Sequence, residues 1–151
     1  ACDLLGSSMP LAQSIGRWGN FFNSEAFGKP VSESFPLRLY IPPENRPSTF
    51  STADFFHPTF LYESVWDLLL FVICYFALAD RLRNYPGVTF CLYIGGYSIG
   101  RLLIEPLRTD SLMAFGIPAP MLASALMLGI AMVGLLVLLK HHWSNAQKQA
   151  D

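Results

Sequence analysis

Charge is scarce in this chain: Asp, Glu, Lys and Arg make up only 14% of its 151 residues, against about 25% in an average soluble domain. The net charge of -1 leaves no basic excess, and without a basic face no nucleic-acid partner is expected. Cysteine is sparse too. Cys2, Cys74 and Cys91 are odd in number and lack paired or metal-ligand spacing, so neither a disulfide framework nor a metal site is expected. Cys74 and Cys91 sit inside apolar runs and read as small hydrophobes. No secretory leader is expected at the start: the first residue is Ala1, the first methionine is Met9, and no basic segment, apolar segment and cleavage site follow one another. The expectation is a stretch whose upstream spans are missing.

What is abundant is apolar surface. Apolar residues make up 52% of the chain, the mean hydropathy is +0.38, and the length suits one domain. A spanning helix needs about 20 mostly apolar residues. Three runs qualify: 60–79, 88–107 and 121–139. The first stops at a charged turn ending in Pro86-Gly87, a strong breaker. The third carries no charge between Pro120 and Lys140. Leu4 to Ile15 is too short to span and reads as the end of a helix begun upstream. Gly19 to His57 is polar and proline-rich, with room for one strand at Leu37 to Ile41, and its 28–57 portion reads as an extracytoplasmic loop or small cap. The expected fold class is therefore an all-α membrane protein, a transmembrane helix bundle with a small extracytoplasmic cap, residues 1–151 forming the C-terminal part of one membrane-embedded domain. Arg81, Arg83, Lys140 and Lys148 would mark the cytoplasmic side by the positive-inside bias, which leaves the cap outside.

Some ionisable residues stand where they are costly. Even the lowest scales charge about 2.5–3.5 kcal/mol for an arginine at the centre of a span. In the second run Tyr97, Arg101, Glu105 and Arg108 are spaced by four, four and three, so on a helix they share one face. One reading is an Arg101–Glu105 pair that locks helices together or snorkels to the surface. The other is an anion site, with Arg101 holding a phosphate through its planar fork of donors and Glu105 holding Arg101. Gly96 and Gly100 form a small-xxx-small pair suited to close helix packing.

Two further constellations lie upstream. The run Gly16-Arg17-Trp18-Gly19-Asn20-Phe21-Phe22-Asn23-Ser24-Glu25-Ala26-Phe27-Gly28 puts an arginine, two asparagines and a glutamate at the edge of an apolar stretch. If helical, Arg17, Asn20 and Ser24 share a face. If a turn, Gly16, Gly19 and Gly28 free the backbone to approach a ligand. Asn20 and Asn23 offer donors and acceptors suited to ester and glycerol oxygens; a solvated helix end is the plainer alternative. The third run is His57-Pro58-Thr59-Phe60-Leu61-Tyr62-Glu63. Histidine is the commonest general base, yet one before a proline also suits a helix entry. Tyr62 and Glu63 read equally as interface anchors.

Taken together and in this order, the three segments resemble the prolipoprotein diacylglyceryl transferase family. Gly16-Arg17-x-x-Asn20-Phe21-x-Asn23-x-Glu25-x-x-Gly28 is similar to its signature, His57-Pro58-x-x-Leu61-Tyr62-Glu63 to its second motif, and Gly96 through Arg108 to its third. The resemblance covers nearly the whole chain. It implies transfer of the diacylglyceryl group from phosphatidylglycerol to the signal-peptide cysteine of a prolipoprotein, with no metal or cofactor, in the bacterial plasma (inner) membrane with the active site toward the outer leaflet. By the resemblance, Arg17, Arg101 and Glu105 are the catalytic candidates. Asn20, Asn23, Glu25, Gly28, His57, Tyr62 and Glu63 are the substrate-binding candidates. The implied partners are phosphatidylglycerol, the prolipoprotein signal peptide and the lipid bilayer. The family's upstream His-Gly-Gly motif is not in this chain, so the stretch by itself is expected to be inactive. A transporter or channel subunit is the rival reading, but it predicts charges strung along a path, whereas Arg17, His57, Glu63, Arg101 and Glu105 map near one side. A non-catalytic scaffold would make Arg17→Ala and Arg101→Ala harmless.

Overall fold

Among the described residues, the apolar runs and the polar loop between them form four α-helices and two small two-stranded sheets. The computed structural model describes residues 2–78 and 80–148. The helices are α1 (Cys2–Phe22), α2 (Thr59–Val72), α3 (Val88–Ile104) and α4 (Ala119–Lys148). β1 (Leu39–Tyr40) pairs antiparallel with β2 (Phe55–Phe56), Leu39 opposite Phe56. β3 (Met113–Ala114) pairs antiparallel with β4 (Ile117–Pro118), Met113 opposite Pro118. α1 packs chiefly on α2, and α4 on α3. Among the described residues, two helical stretches are long and apolar enough to cross a membrane, Thr59–Leu78 and Ala119–Ser144.

The first expected span begins one residue early and ends in a π-helical turn, Ile73–Leu78; Ala79, its expected last residue, lies outside the described residues. The second is α-helical for 17 residues only. It tightens into a 3₁₀ turn over Glu105–Leu107, because Pro106 brings no N–H to the ladder. The third extends beyond both expected ends.

The first segment differs from expectation. The helix does not stop near Ile15 but runs 21 residues to Phe22. Its glycines and polar residues looked like an end because glycine is a poor helix former. Tertiary partners override that propensity. Arg17 meets acids on α2, Trp18 packs edge-on against Phe60 at 5.5 Å, and its indole N–H donates to Ser64 Oγ at 3.2 Å. The polar loop therefore starts after Phe22 rather than at Gly19. Gly16 and Gly19 lie within the helix and face open space.

Packing at the other end follows from a few small or charged residues. The Asp3 carboxylate accepts from the Gly87 and Phe90 backbone N–H groups, at 2.6 and 3.1 Å. It thus caps α3 from a neighbouring helix and complements its positive end. Gly87 takes φ +91° at the Pro-Gly breaker and abuts Leu138 of α4. Tyr85 meets His142 edge-on at 5.2 Å. The 80–87 turn and the end of α4 therefore share one end of the bundle. The cap lies at the opposite end, with a core of Phe27, Ile41 and Phe56.

The glycine pair on α3 is a packing device. The Trp66 indole of α2 lies against Gly100 and donates to Gly96 O at 3.0 Å. A Cβ on Gly100 would strike the indole ring, and one on Gly96 would fall 2.5 Å from a Leu70 methyl. Overpacking of this kind costs about 1–3 kcal/mol. Gly100→Ala is therefore expected to lower the unfolding midpoint in detergent, while Gly129→Ala on α4, whose Cβ meets nothing within 4 Å, does not lower it and gains from alanine's better helix propensity.

Candidate active site

Three helices deliver their charges to one point at the cap end of the bundle. Glu63, in the first turns of α2, is 4% exposed and forms the hub. Its Oε2 lies 2.8 Å from Arg17 Nε of α1, off the angle of a hydrogen bond. Its Oε1 accepts from Arg101 Nη1 of α3 at 2.5 Å and from Arg108 Nη1 at 3.3 Å. Arg101 Nη2 donates to Glu105 Oε2 at 2.5 Å, and Ser111 Oγ donates to the other Glu105 oxygen at 2.5 Å. Glu105 is 1% exposed. Helical spacing places Arg101 and Glu105 one turn apart, as expected, and the 3₁₀ turn then swings Arg108 back over Glu63.

Asp67 follows Glu63 by one turn and is 2% exposed. Its Oδ2 lies 3.9 Å from Arg17 Nε and has no hydrogen bond among the described residues. Arg17 Nη2 reaches Tyr97 OH at 3.5 Å. Arg17, Glu63, Asp67, Tyr97 and Arg101 line a cavity of about 10 Å³, the least space that holds one water. Three guanidiniums thus face three buried carboxylates. Outside the bundle Arg108 also forks onto Asp110, at 2.9 and 3.0 Å. Burial works against its charge, but Asp110, Glu63 and Glu105 outweigh that and hold its pKa above the ordinary value.

The remaining candidates divide from this cluster. Asn23 Nδ2 donates to Glu25 Oε1 at 2.9 Å on the exposed turn that closes α1. There Ser24 and Ala26 hold φ near +53°, a region that non-glycine residues seldom occupy. Asn20 gives its carbonyl to the Glu25 N–H at 3.0 Å. His57 Nδ1 pairs with Tyr62 OH at 3.2 Å, and its ring packs edge-on against Phe35 at 4.9 Å.

Gly28 is buried where the three motifs meet. Its N–H donates to His57 O at 2.8 Å, and the next residue, Lys29, donates to Leu107 O at 2.7 Å. A Cβ there would lie 2.6 Å from His57 Cβ and 2.9 Å from Leu107 O. Close backbone approach, not a positive φ, is what requires glycine. Sequence reasoning did not place Asp67, Arg108 or Ser111 among the site residues. The Glu63–Asp67 spacing of four was a usable signal for the first; for Arg108, the spacing of three from Glu105 had put it on the shared face without making it a site residue.

Comparison with known proteins identifies the family. The family model for prolipoprotein diacylglyceryl transferase matches residues 1–137. The chain belongs to that family. Relatives named phosphatidylglycerol–prolipoprotein diacylglyceryl transferase include one from Fervidobacterium nodosum, 52% identical over 130 residues, covering 86% of this chain and 44% of the relative. The Thermotoga maritima protein is 49% identical over 140 residues, 91% of this chain and 46% of the relative. The Acaryochloris marina protein is 48% identical over 151 residues, 99% of this chain and 54% of the relative. The chain spans about half the length of the curated relatives it matches. Within this family's match lie all three motifs that Gly28 ties together.

Proposed function

We propose that the chain supplies the phosphate-handling part of a phosphatidylglycerol–prolipoprotein diacylglyceryl transferase in the bacterial plasma membrane, with the charge cluster toward the outer leaflet. The observation that carries this reading is the convergence of Arg17 and Arg101 on Glu63 at the cap end of the bundle. The opposite end holds Arg81, Arg83 and Lys140 and suits the cytoplasmic side. The proposed partners are phosphatidylglycerol from the bilayer and the signal peptide of a prolipoprotein.

The chemistry assigns each group a task. The substrate cysteine sulfur attacks the glycerol carbon that bears the phosphate ester. A C–S bond forms and the C–O bond breaks. The electron pair leaves on oxygen as glycerol phosphate, and the thiol proton passes to a base, since the thiolate is the nucleophile. Negative charge grows on the departing phosphate. Guanidiniums already aimed at that point stabilise the transition state more than the substrate, which is the requirement for catalysis. Glu63 and Glu105 fix Arg101 from two sides, so its remaining N–H donors point in set directions. The test is thioether formation by the full-length protein in vesicles with a signal-peptide substrate. Transfer is expected with phosphatidylglycerol and the cysteine peptide, and not with phosphatidylcholine or the cysteine→serine peptide. Equal transfer from phosphatidylcholine would sink the assignment of the donor.

A further inference from the structure

The segment between the charge cluster and α4 is a small apolar hairpin with no core of its own. β3 and β4 enclose the tip Phe115-Gly116, both at positive φ, +53° and +79°. Gly116 suits such a turn, whereas phenylalanine there costs about 1–2 kcal/mol, so something outside the hairpin must favour an aromatic at that point. Phe115 is 100% exposed and Leu112 79%; Met113 and Ile117 are exposed as well. In water such a display is a liability.

Two features say what covers it. First, no charged residue occurs from Ser111 to Leu139, and the hairpin runs directly into α4, which has the length and composition of a membrane span. The exposed apolar side chains of α4, Leu122, Leu126 and Ile130 among them, continue the same surface. Second, the hairpin follows the cap end of α3, the end of the bundle at which other exposed aromatics lie. Trp18, Phe21 and Phe22 lie at the cap end of α1 and are all exposed, and Trp18 and Phe21 pack on Phe60 at the start of α2. Tryptophan is enriched at a membrane–water boundary, and phenylalanine and leucine bury shallowly there.

We propose that the Leu112–Pro118 hairpin inserts its apolar tip into the interfacial layer of the bilayer and so sets the depth of the charge cluster beside it. The connection is short. Ser111 Oγ, one residue before the hairpin, donates to Glu105, which holds Arg101. The base of the hairpin is closed by Ala119 N–H donating to Leu112 O at 2.7 Å. A tip seated among glycerol esters therefore places Arg101 near the level of lipid phosphates. This inference rests on the membrane-embedded reading above, and its test separates the two.

Tryptophan is introduced singly at Phe115, at Leu126 on α4 and at Leu37 in the cap, in the full-length protein reconstituted into phosphatidylglycerol–phosphatidylcholine vesicles. Added emission, taken as the difference from the unsubstituted full-length protein with its own tryptophans, is challenged with lipids brominated at shallow or deep acyl positions and with aqueous iodide. Phe115→Trp is expected to lose half or more of its emission to shallow bromines, less to deep ones, and little to iodide. Leu37→Trp is expected to respond to iodide alone. Iodide quenching of Phe115→Trp without bromine quenching would put the hairpin in water and overturn the proposal. Protection from both would mean that protein covers it, which overturns it equally. Leu126→Trp responding to bromine in either case would confine the failure to the hairpin; no bromine response at Leu126 would remove the membrane-embedded reading as well.

Discussion

Removing the Glu63 carboxylate is expected to produce the largest loss of stability of any single substitution at the cluster. Three guanidiniums from different parts of the chain lean on it, at 2.8, 2.5 and 3.3 Å. In Glu63→Ala they face one another across a cavity, with only Asp67 and Glu105 left to share among the buried acids. Breaking a buried ion pair from one side costs about 3–5 kcal/mol, because the partner charge stays behind unpaired. Arg101 keeps Glu105, Arg108 keeps Asp110, and Arg17 keeps only a distant Asp67. Glu63→Gln retains the shape and one acceptor and should cost less. The check is equilibrium unfolding in mixed detergent for both variants. A loss under about 1 kcal/mol for Glu63→Ala, the range of exposed pairs, would show that the cluster is screened by water and that Glu63 is not its hub. Adding Arg17→Met to Glu63→Ala should recover part of the loss, since it removes the arginine left with the weakest alternative partner; independent effects would instead add.

The cluster shows what could and could not be read along the chain. Arg101, Glu105 and Arg108 were legible because helical spacing alone puts them on one face, and the structure brings all three together. Arg17 was legible as an arginine at the edge of an apolar run. Glu63 was not legible as a centre, since beside Tyr62 it reads equally as an interface anchor. Only the packing of α1 and α3 against α2 brings the other arginines to it. The end of α1 was misjudged for the same reason: local propensity favours a break at Gly16 and Gly19, and the contacts of Arg17 and Trp18 with α2 carry the helix through. Gly28 was singled out for backbone freedom near a ligand, whereas its neighbourhood shows a three-way backbone junction with no room for a methyl. The strand expected within Leu37 to Ile41 is present as β1, but its partner β2 and the β3–β4 hairpin were not expected, because two-residue strands leave almost no alternation to detect.

Arg101→Lys is the substitution expected to cut activity most while leaving the fold in place. Lysine keeps the positive charge but offers one compact ammonium where arginine offers a planar fork. Arg101 now spans two carboxylates, Glu63 at Nη1 and Glu105 at Nη2, both at 2.5 Å. An ammonium satisfies both only by spending its donors and shifting its charge toward the carboxylates, so it no longer presents donors to a phosphate. Loss of one preorganised donor at a developing anion lowers turnover by about 10²–10³-fold, and the effect should fall on kcat more than on KM, since the contact strengthens as the C–O bond between the diacylglyceryl carbon and the phosphate oxygen breaks. Thioether formation in phosphatidylglycerol vesicles is measured beside the unfolding midpoint, with Arg108→Lys as the comparison, because Arg108 is shared with the exposed Asp110. A folded Arg101→Lys protein that transfers as fast as the unsubstituted one would reduce Arg101 to a structural ion-pair partner and move the phosphate elsewhere. A loss of activity with an unchanged midpoint, steeper than that of Arg108→Lys, places the departing phosphate at Arg101.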